Sequence, residues 1–286
     1  MGDDFVESQS TVDYEKRWRE LLLPVVRIRA DNTGGSGTVL YSKSGSTYVL
    51  TNFHVVETMI KVDTRWSVLL KRDVKVDVLG TVDTHFFEYR WKSRTVGEKA
   101  VQADIMTYSK EEDLALLKLR SDSEPPGVAR LYPRGEEYKL LATMPVFCVG
   151  SGLGEPPVIT SGMLSQFGRE IDRREYWLNT APAIYGNSGG ALFLAETHQF
   201  IGVPARLGVS ISGFSAQAVT HLQYAIPITR IYNFLEHELF RFIYSNDFTE
   251  SDELKERDRI RKETEMAVAR ARMVRSDESG REEDGY

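Results

Sequence analysis

Residues 186–190 read Gly-Asn-Ser-Gly-Gly, so that a serine stands in a run of glycines. Glycine adopts backbone conformations that a side chain forbids, and such a run can form a tight turn with an exposed hydroxyl. The same turn can aim several backbone N–H groups at one point. An activated serine nucleophile with an oxyanion hole needs this arrangement. Taken alone, the string is as typical of a plain glycine-rich loop.

A serine nucleophile needs a base, which is usually a histidine oriented by a carboxylate. His54 is the candidate base because it follows the β-rich run of residues 46–51, and an imidazole at the end of an apolar strand needs a partner. Asp113 is the candidate carboxylate because it opens the apolar run of residues 114–119. Alone, each residue favours a simpler interpretation: a core histidine with its hydrogen bonds satisfied, and a solvated aspartate.

The order His54, Asp113, Ser188 is that of the chymotrypsin-type triad. Several segments resemble, in the same order, those of the trypsin-like serine peptidases, and within them the HtrA/Deg branch without a PDZ domain. These segments are residues 35–39, 51–56, 113–118, 149–151, 158–165, 178–180, 186–192, 200–203 and 224–228. The resemblance extends from about residue 25 to residue 235.

The resemblance implies a mainly β fold with two six-stranded antiparallel β-barrels of the chymotrypsin type, together with N-terminal and C-terminal helices. The expected parts are an N-terminal helical segment (1–24), a peptidase domain (25–235) with barrels at about 25–120 and 131–228, and a charged C-terminal helix with a disordered tail (236–286). Strands of the first barrel are predicted at residues 25–28, 37–41, 48–51, 67–71, 74–79 and 114–119.

Three features depart from the family pattern. Ala181 follows Thr180, where the family usually has an aspartate. The segment between His54 and Asp113 is long, and residues 81–105 are predicted to be an inserted hairpin. No PDZ domain is expected after residue 235, because the chain ends at residue 286.

The resemblance also implies a serine endopeptidase that forms an acyl-enzyme. His54 would act as general base and then general acid, Asp113 would orient it, and Ser188 would attack. The N–H groups of Gly186 and Ser188 would form the oxyanion hole. The substrate backbone would add to the strand edge around residues 203–205. The substrate-binding residues expected are Pro182, Ala183, Val203, Ala205 and Ala225. Because no aspartate marks the base of this pocket, a small or aliphatic P1 residue is predicted.

Composition limits the other classes of function. The chain of 286 residues is 41% hydrophobic and 27% charged, as in ordinary globular proteins, and its net charge of −6 gives no electrostatic case for nucleic acid. Cys148 is the single cysteine, which excludes an internal disulfide. No metal or cofactor is expected. The acidic N-terminus has no apolar run of signal-peptide or membrane-spanning type, and this predicts a cytoplasmic protein.

Two flanking helices are predicted, and a highly charged segment follows the second of them. Residues 10–23 place Tyr14, Trp18, Leu21 and Leu22 on one helical face, and residues 227–245 are predicted as another helix. Residues 251–275 are so rich in mixed charge that a helix there is either solvated or forms on meeting a partner.

Two other classes of function stay open at this point. One is a catalytically inactive or conditionally active fold that binds peptides or proteins. The other is an interaction protein whose C-terminal helix mediates homo-oligomerisation or contacts a partner protein. The expected partners are therefore a protein or peptide substrate and a protein bound through that helix.

Overall fold

The computed structural model describes residues 12–67, 71–91, 94–212 and 215–283. The strands are β1 (Val25–Ala30), β2 (Thr33–Lys43), β3 (Ser46–Thr51), β4 (Ile60–Ser67), β5 (Arg72–Leu79), β6 (Thr81–Arg90), β7 (Arg94–Ser109), β8 (Leu114–Leu119), β9 (Arg130–Leu131), β10 (Pro145–Gly150), β11 (Val158–Ile171), β12 (Arg174–Asn179), β13 (Ala191–Leu194), β14 (Gln199–Ser212) and β15 (Ser215–Pro227). The helices are α1 (Tyr14–Leu22), α2 (Phe53–Val56), α3 (Ile228–His237) and α4 (Glu250–Glu283).

The first half of the fold is a closed barrel in which the strands follow the order β1-β2-β3-β8-β7-β6. Each neighbouring pair is antiparallel. Alternate residues point inward, and Val26, Ile28, Val49 and Leu117 are completely buried there. Burial of these branched side chains supplies the main driving force for closing the barrel.

Residues 81–105 form a hairpin of β6 and β7, as predicted, but the prediction that it is an insertion is wrong, because the two strands complete the barrel. Val82 and Ile105 on these strands are buried in its interior. The hairpin that stands apart is β4–β5, which forms a separate two-stranded sheet. The strand expected at residues 67–71 is not in the barrel either: Ser67 ends β4, and residues 68–70 lie outside the described residues.

The second half is a ring of six antiparallel strands in the order β13-β10-β11-β12-β15-β14, because β13 pairs with both β10 and β14. The short strand β9 pairs in parallel with β14 and is a seventh member. The mainly β class and a closed six-stranded first barrel are therefore confirmed. The second ring, with its added parallel strand, differs from the plain six-stranded barrel that was expected.

The predicted N-terminal helix is α1, which buries Leu21 and Leu22, whereas Tyr14 is exposed. The helix expected over residues 227–245 is shorter, since α3 ends at His237. The chain ends this helix because Leu239 takes a left-handed conformation (φ 57°), and Phe240 N–H donates back to the Leu235 carbonyl.

The first turns of α4 are docked on the rest of the fold. Glu253 is buried and accepts from Arg241 (2.5 Å) and from the Phe242 N–H (3.3 Å). The Arg257 guanidinium lies 4.4 Å from the centre of the Phe240 ring. Beyond this contact, residues 258–264 are exposed. The helix continues through residues 276–283, which were expected to be disordered. Among the described helices, none is long and apolar enough to cross a bilayer.

The Glu250 carboxylate joins α4 to the first barrel. It accepts hydrogen bonds from Ser46 Oγ (3.0 Å), Tyr48 OH (2.7 Å) and Lys118 Nζ (2.7 Å). Burial raises the pKa of Glu250, but the hydrogen bonds from Lys118, Tyr48 and Ser46 outweigh it and leave the pKa below its ordinary value. The ionised form therefore stabilises the folded state.

We expect Glu250→Ala to lower the free energy of unfolding at pH 7 by about 2 kcal/mol, the size for losing hydrogen bonds to a partly buried charged group. Because the pKa of Glu250 is lowered on folding, its stabilisation is present above the unfolded-state pKa. It is lost as the pH falls through the folded-state pKa. Urea unfolding of the wild type and the variant would be measured at pH 7 and at progressively lower pH. The difference between their free energies of unfolding should shrink on acidification.

Glu256→Ala is the matched control, because Glu256 lies on the same helix and pairs with Arg259 at the surface. Its effect should stay within about 0.5 kcal/mol. An equal loss in the two variants would contradict the anchoring role of Glu250.

Candidate functional site

The pairing of β3 with β8 brings His54 and Asp113 together. Thr51, at the end of β3, is opposite Ala115 at the start of β8. In an antiparallel pair, the residue that leaves one strand lies beside the residue that enters the other. His54, in the short helix α2, therefore faces Asp113, which directly precedes β8.

The Asp113 carboxylate forms hydrogen bonds with both the ring and the backbone of His54. His54 Nδ1 lies 2.9 Å from Oδ2 and 3.0 Å from Oδ1, and the His54 backbone N–H donates to Oδ1 at 3.1 Å. The Asp113 side chain is 16% exposed and that of His54 is 43% exposed. Since the carboxylate engages Nδ1, the Nε2 atom of His54 is left for a partner on the solvent side.

Asp113 is held in a left-handed backbone conformation (φ 54°), which needs support from its surroundings. Asn52 Nδ2 donates to the Asp113 carbonyl at 2.8 Å. The buried Arg230 binds the preceding residue, Glu112, with Nε 2.6 Å from its carboxylate and Nη2 3.1 Å from its carbonyl. Both contacts fix the turn from which the Asp113 side chain projects.

The glycines around Ser188 are required by the geometry of its turn. Gly186 has φ 100° and Gly189 has φ 83°, both in the region that favours glycine. A Cβ on Gly186 would collide with the Ser151 carbonyl, and one on Gly189 with the Ser36 carbonyl. The Gly-Asn-Ser-Gly-Gly string is therefore a compact turn packed against two neighbouring segments.

The backbone amides of this turn divide into two groups. Three of them donate within the protein: Asn187 to the Ile184 carbonyl (3.0 Å), Gly189 to Pro204 (3.0 Å) and Gly190 to Asn187 (3.0 Å). The N–H groups of Gly186 and Ser188 donate to no group in the described part of the chain. These are the two amides that the sequence assigned to an oxyanion hole.

The direction of the Gly186 N–H follows from its neighbour. The Tyr185 carbonyl accepts from the Leu153 N–H at 2.7 Å and so points toward the turn at residues 152–154. The C=O and N–H of one trans peptide point in opposite directions. The Gly186 N–H therefore points away from that turn. Sequence reasoning missed the role of Leu153, since no pattern distinguishes its backbone.

Ser36 is a further residue whose role the motif analysis did not identify. Its Oγ donates to the Gly186 carbonyl (2.6 Å) and accepts from the Ser151 N–H (2.7 Å). Its own N–H donates to the Ser188 carbonyl at 2.8 Å. Its place between two glycines, at residues 35–37, was the signal that could have marked it as a point of close backbone approach.

His54 and Ser188 line one cleft of about 450 Å³. No hydrogen bond joins these two side chains among the described residues. Contacts of this type are often long in ligand-free structures and shorten when substrate binds. In the described residues, no three His, Cys, Asp or Glu side chains are grouped as a metal site.

The substrate-binding residues expected from the sequence are only partly brought together. Ala183 and Ala205 line the cleft, whereas Pro182, Val203 and Ala225 do not. Val203 and Ala225 are completely buried, since β14 and β15 pair with each other there. The strand edge that faces the cleft is residues 204–207, slightly further along β14 than expected.

Gln223 lies at the cleft and was not identified from the sequence, although it is a polar residue in an apolar strand. Its side chain is 1% exposed, and its Nε2 donates to Cys148 Sγ at 3.2 Å. Its Oε1 has no partner among the described residues. Burial raises the pKa of the Cys148 thiol to about 11, so that it stays neutral. No Asp or Glu lines this cleft in the described residues.

Both the sequence and the fold of this chain are similar to those of known proteins. Residues 35–203 match the family model for the trypsin-like peptidase domain. The Serine protease Do-like HtrA of Lactococcus lactis subsp. cremoris is 28% identical over 212 residues, which cover 70% of this chain and 44% of that protein. A probable periplasmic serine endoprotease, DegP-like, of Hahella chejuensis is 30% identical over 138 residues, which cover 47% of this chain and 27% of that protein. The chain thus spans less than half the length of these curated relatives.

Two solved structures share the fold. The HtrA-type protease AlgW with tripeptide has a TM-score of 0.56 at 20% identity, covering 81% of this chain and 64% of that one. The Rv3671c protease, in its inactive form, has a TM-score of 0.51 at 18% identity, covering 77% of this chain and 89% of that one. At these identities the likeness shows a common fold. Since the family model spans more than half of the residues, this chain belongs to the trypsin-like peptidase family.

Proposed function

We propose that this chain is a serine endopeptidase that cleaves peptide bonds through His54, Asp113 and Ser188. The observation that carries the proposal is the turn of Ser188, on which the Gly186 and Ser188 amides have no partner in the described residues, together with a histidine in the same cleft as Ser188 that a carboxylate already orients. Two such donors can stabilise the negative oxygen of a tetrahedral intermediate. Each is typically worth about 3–4 kcal/mol of activation free energy.

The reaction takes place in two steps. His54 Nε2 accepts the proton of Ser188 Oγ as this oxygen bonds to the substrate carbonyl carbon, and the carbonyl electrons move onto its oxygen. The intermediate then collapses, the C–N bond breaks, and His54 returns the proton to the departing amine. A water molecule, activated by His54, hydrolyses the acyl-enzyme and restores Ser188. Asp113 holds the ring through Nδ1 and stabilises the imidazolium.

The strand edge at residues 204–207 suits an extended peptide. Strand addition here would use backbone hydrogen bonds for affinity and side-chain pockets for selectivity. Pro204 lacks an N–H, and its carbonyl is already used by Gly189 (3.0 Å). Pairing with substrate therefore begins at Ala205. Arg206 on this edge is paired with Asp172 at 2.7 Å, so its charge is balanced within the protein.

The alternative is a catalytically inactive peptide-binding module of the same fold. Peptide binding alone requires the strand edge, but it does not require a carboxylate hydrogen-bonded to His54 Nδ1. The hydrogen bonds between Asp113 and His54 therefore favour catalysis over this alternative.

A fluorophosphonate probe should label the wild-type chain, because it requires an activated serine and an oxyanion hole. Ser188→Ala should abolish labelling. Asp113→Asn should slow both labelling and peptide hydrolysis by about 10⁴-fold, since the amide favours the wrong histidine tautomer. Labelling would be followed by intact-protein mass spectrometry, and hydrolysis with a quenched peptide library.

Ser36→Ala is not a suitable control, because Ser36 touches the turn. Ser210→Ala, on the distal part of β14, is the matched serine control and should be labelled at the wild-type rate. Absence of labelling and of hydrolysis in the wild-type chain would leave the binding-module alternative standing.

The cleft also supports the predicted preference for a small or aliphatic P1 residue, since none of the described residues that line it offers a carboxylate to pair with lysine or arginine. Gln223 contributes a neutral amide at this site, and Ala183 and Ala205 contribute small walls. We propose that these three residues define the P1 pocket.

Gln223→Glu should raise kcat/KM for P1 lysine relative to P1 alanine at least about tenfold, because it puts a carboxylate beside the pocket in nearly the same volume. Gln223→Met is the neutral control of similar size and should keep the wild-type preference. The two ratios would be measured with peptides that differ only at P1. An unchanged ratio in a folded Gln223→Glu variant would show that Gln223 does not face the P1 side chain.

A further inference from the structure

The side chain of Arg27 crosses from the first barrel to the loop beside the nucleophile turn. Arg27 lies on β1 and its side chain is 7% exposed. Its Nη1 donates to the Gly154 carbonyl at 2.8 Å, a contact between residues 127 positions apart. Its guanidinium also lies over the Phe87 ring, 5.0 Å from the ring centre. A nearly buried cation that reaches a backbone carbonyl needs both charge compensation and a fixed direction.

Two neighbours of Arg27 on the barrel supply this orientation. Its Nη2 donates to Glu98 Oε2 at 2.6 Å and lies 3.3 Å from His85 Nδ1. Burial lowers the pKa of His85, and Arg27 lowers it further. The imidazole is therefore neutral and its Nδ1 can accept from the guanidinium. Glu98 from β7 and His85 from β6 hold the planar fork of Arg27 in one orientation.

The turn that Arg27 contacts is not held by its own side chains. Residues Leu153 and Gly154 both have positive φ, 56° and 76°. A leucine in this conformation costs roughly 1–2 kcal/mol. The Leu153 side chain is 70% exposed and gives the turn no packing. The backbone hydrogen bonds from the Gly154 N–H to the Ser151 carbonyl (3.0 Å) and from the Glu155 N–H to the Gly152 carbonyl (3.1 Å) close the turn, and the Arg27 contact to Gly154 ties it to the first barrel.

The same turn fixes the direction of the Gly186 amide. The Leu153 N–H binds the Tyr185 carbonyl at 2.7 Å, so the opposite end of that peptide, the Gly186 N–H, is turned away. A rotation of the Tyr185–Gly186 peptide would remove one of the two free amides from the site. We propose that Arg27, oriented by Glu98 and His85, is a positioning residue that keeps the 152–154 turn, and with it the Gly186 amide, in the conformation that stabilises the oxyanion.

This inference rests on the proposed peptidase function, but it concerns a residue outside the cleft that His54 and Ser188 line. Arg27 acts on a transition-state interaction, so its loss should lower kcat and leave KM nearly unchanged. Deleting an oxyanion donor typically costs 10²–10³-fold in kcat. Misdirecting one by loosening its support should cost about 10- to 100-fold.

The test compares Arg27→Met with Arg29→Met. Methionine keeps an apolar stem of similar length over Phe87, and Arg29 is an exposed arginine two positions along the same strand. For Arg27→Met we expect kcat to fall about 10- to 100-fold with KM within about threefold. The affinity for a peptide boronate, whose adduct places an oxygen in the oxyanion hole, should fall by a similar factor. Arg29→Met should match the wild type in all three quantities.

Hydrogen exchange gives a readout that does not require activity. Amides in residues 151–155 and 184–189 should exchange faster in Arg27→Met than in Arg29→Met. Glu98→Gln keeps a hydrogen-bond acceptor but removes the charge, so its amide exchange rates should be intermediate. This variant replaces Arg27→Met in the test if Arg27→Met is unfolded. Melting temperatures establish that each variant is folded.

The outcomes separate the two proposals. A wild-type chain without turnover would contradict the peptidase function, and the exchange data would still decide the role of Arg27. An active wild type with unchanged kcat and boronate affinity in Arg27→Met would overturn the positioning role alone. Unchanged exchange in both segments would overturn it as well. A fall in kcat with unchanged boronate affinity would show that Arg27 acts elsewhere than at the oxyanion hole.

Discussion

Ser36 forms the set of hydrogen bonds on which the geometry of the cleft depends. It belongs to the first barrel, yet its backbone N–H and its hydroxyl bind the Ser188 and Gly186 carbonyls of the second half. Its own carbonyl accepts from Thr51 at 2.7 Å, next to the strand end that presents His54. The residue is completely buried, so water does not compete for these bonds. One residue thus sets the spacing between the proposed base and the proposed nucleophile.

Supports from several parts of the chain converge on the site. Arg230 follows the last strand and fixes the turn that carries Asp113, while Arg27 on the first strand reaches the turn that fixes Gly186. Both arginines are buried and both bind backbone carbonyls as well as a carboxylate. An arginine suits this task because its planar fork offers several donors in fixed directions. The proposed catalytic groups are therefore held by contacts that span nearly the whole sequence.

The sequence predicted the contact between His54 and Asp113 better than it predicted the strand pairing. These two residues could be paired because their order with Ser188 is that of the chymotrypsin-type triad. The hairpin was misassigned because β5 alternates its valines with charged residues as a barrel strand does, and only pairing shows which segment closes the barrel. Gln223 and Arg27 were passed over for a related reason. A polar residue within an apolar strand carries no local signal of what it reaches across the fold.

The anchoring of α4 by Glu250 has a consequence for how the molecule is made. Lys118 and Tyr48 belong to strands that leave the ribosome early, but the carboxylate that joins them is encoded after every strand of both halves. Domains generally form in the order in which they are synthesised. The first barrel must therefore emerge with this polar contact incomplete. A nascent chain would form this contact only after the strands of both halves have been synthesised, so the packing of α4 on β3 and β8 is a late event in folding.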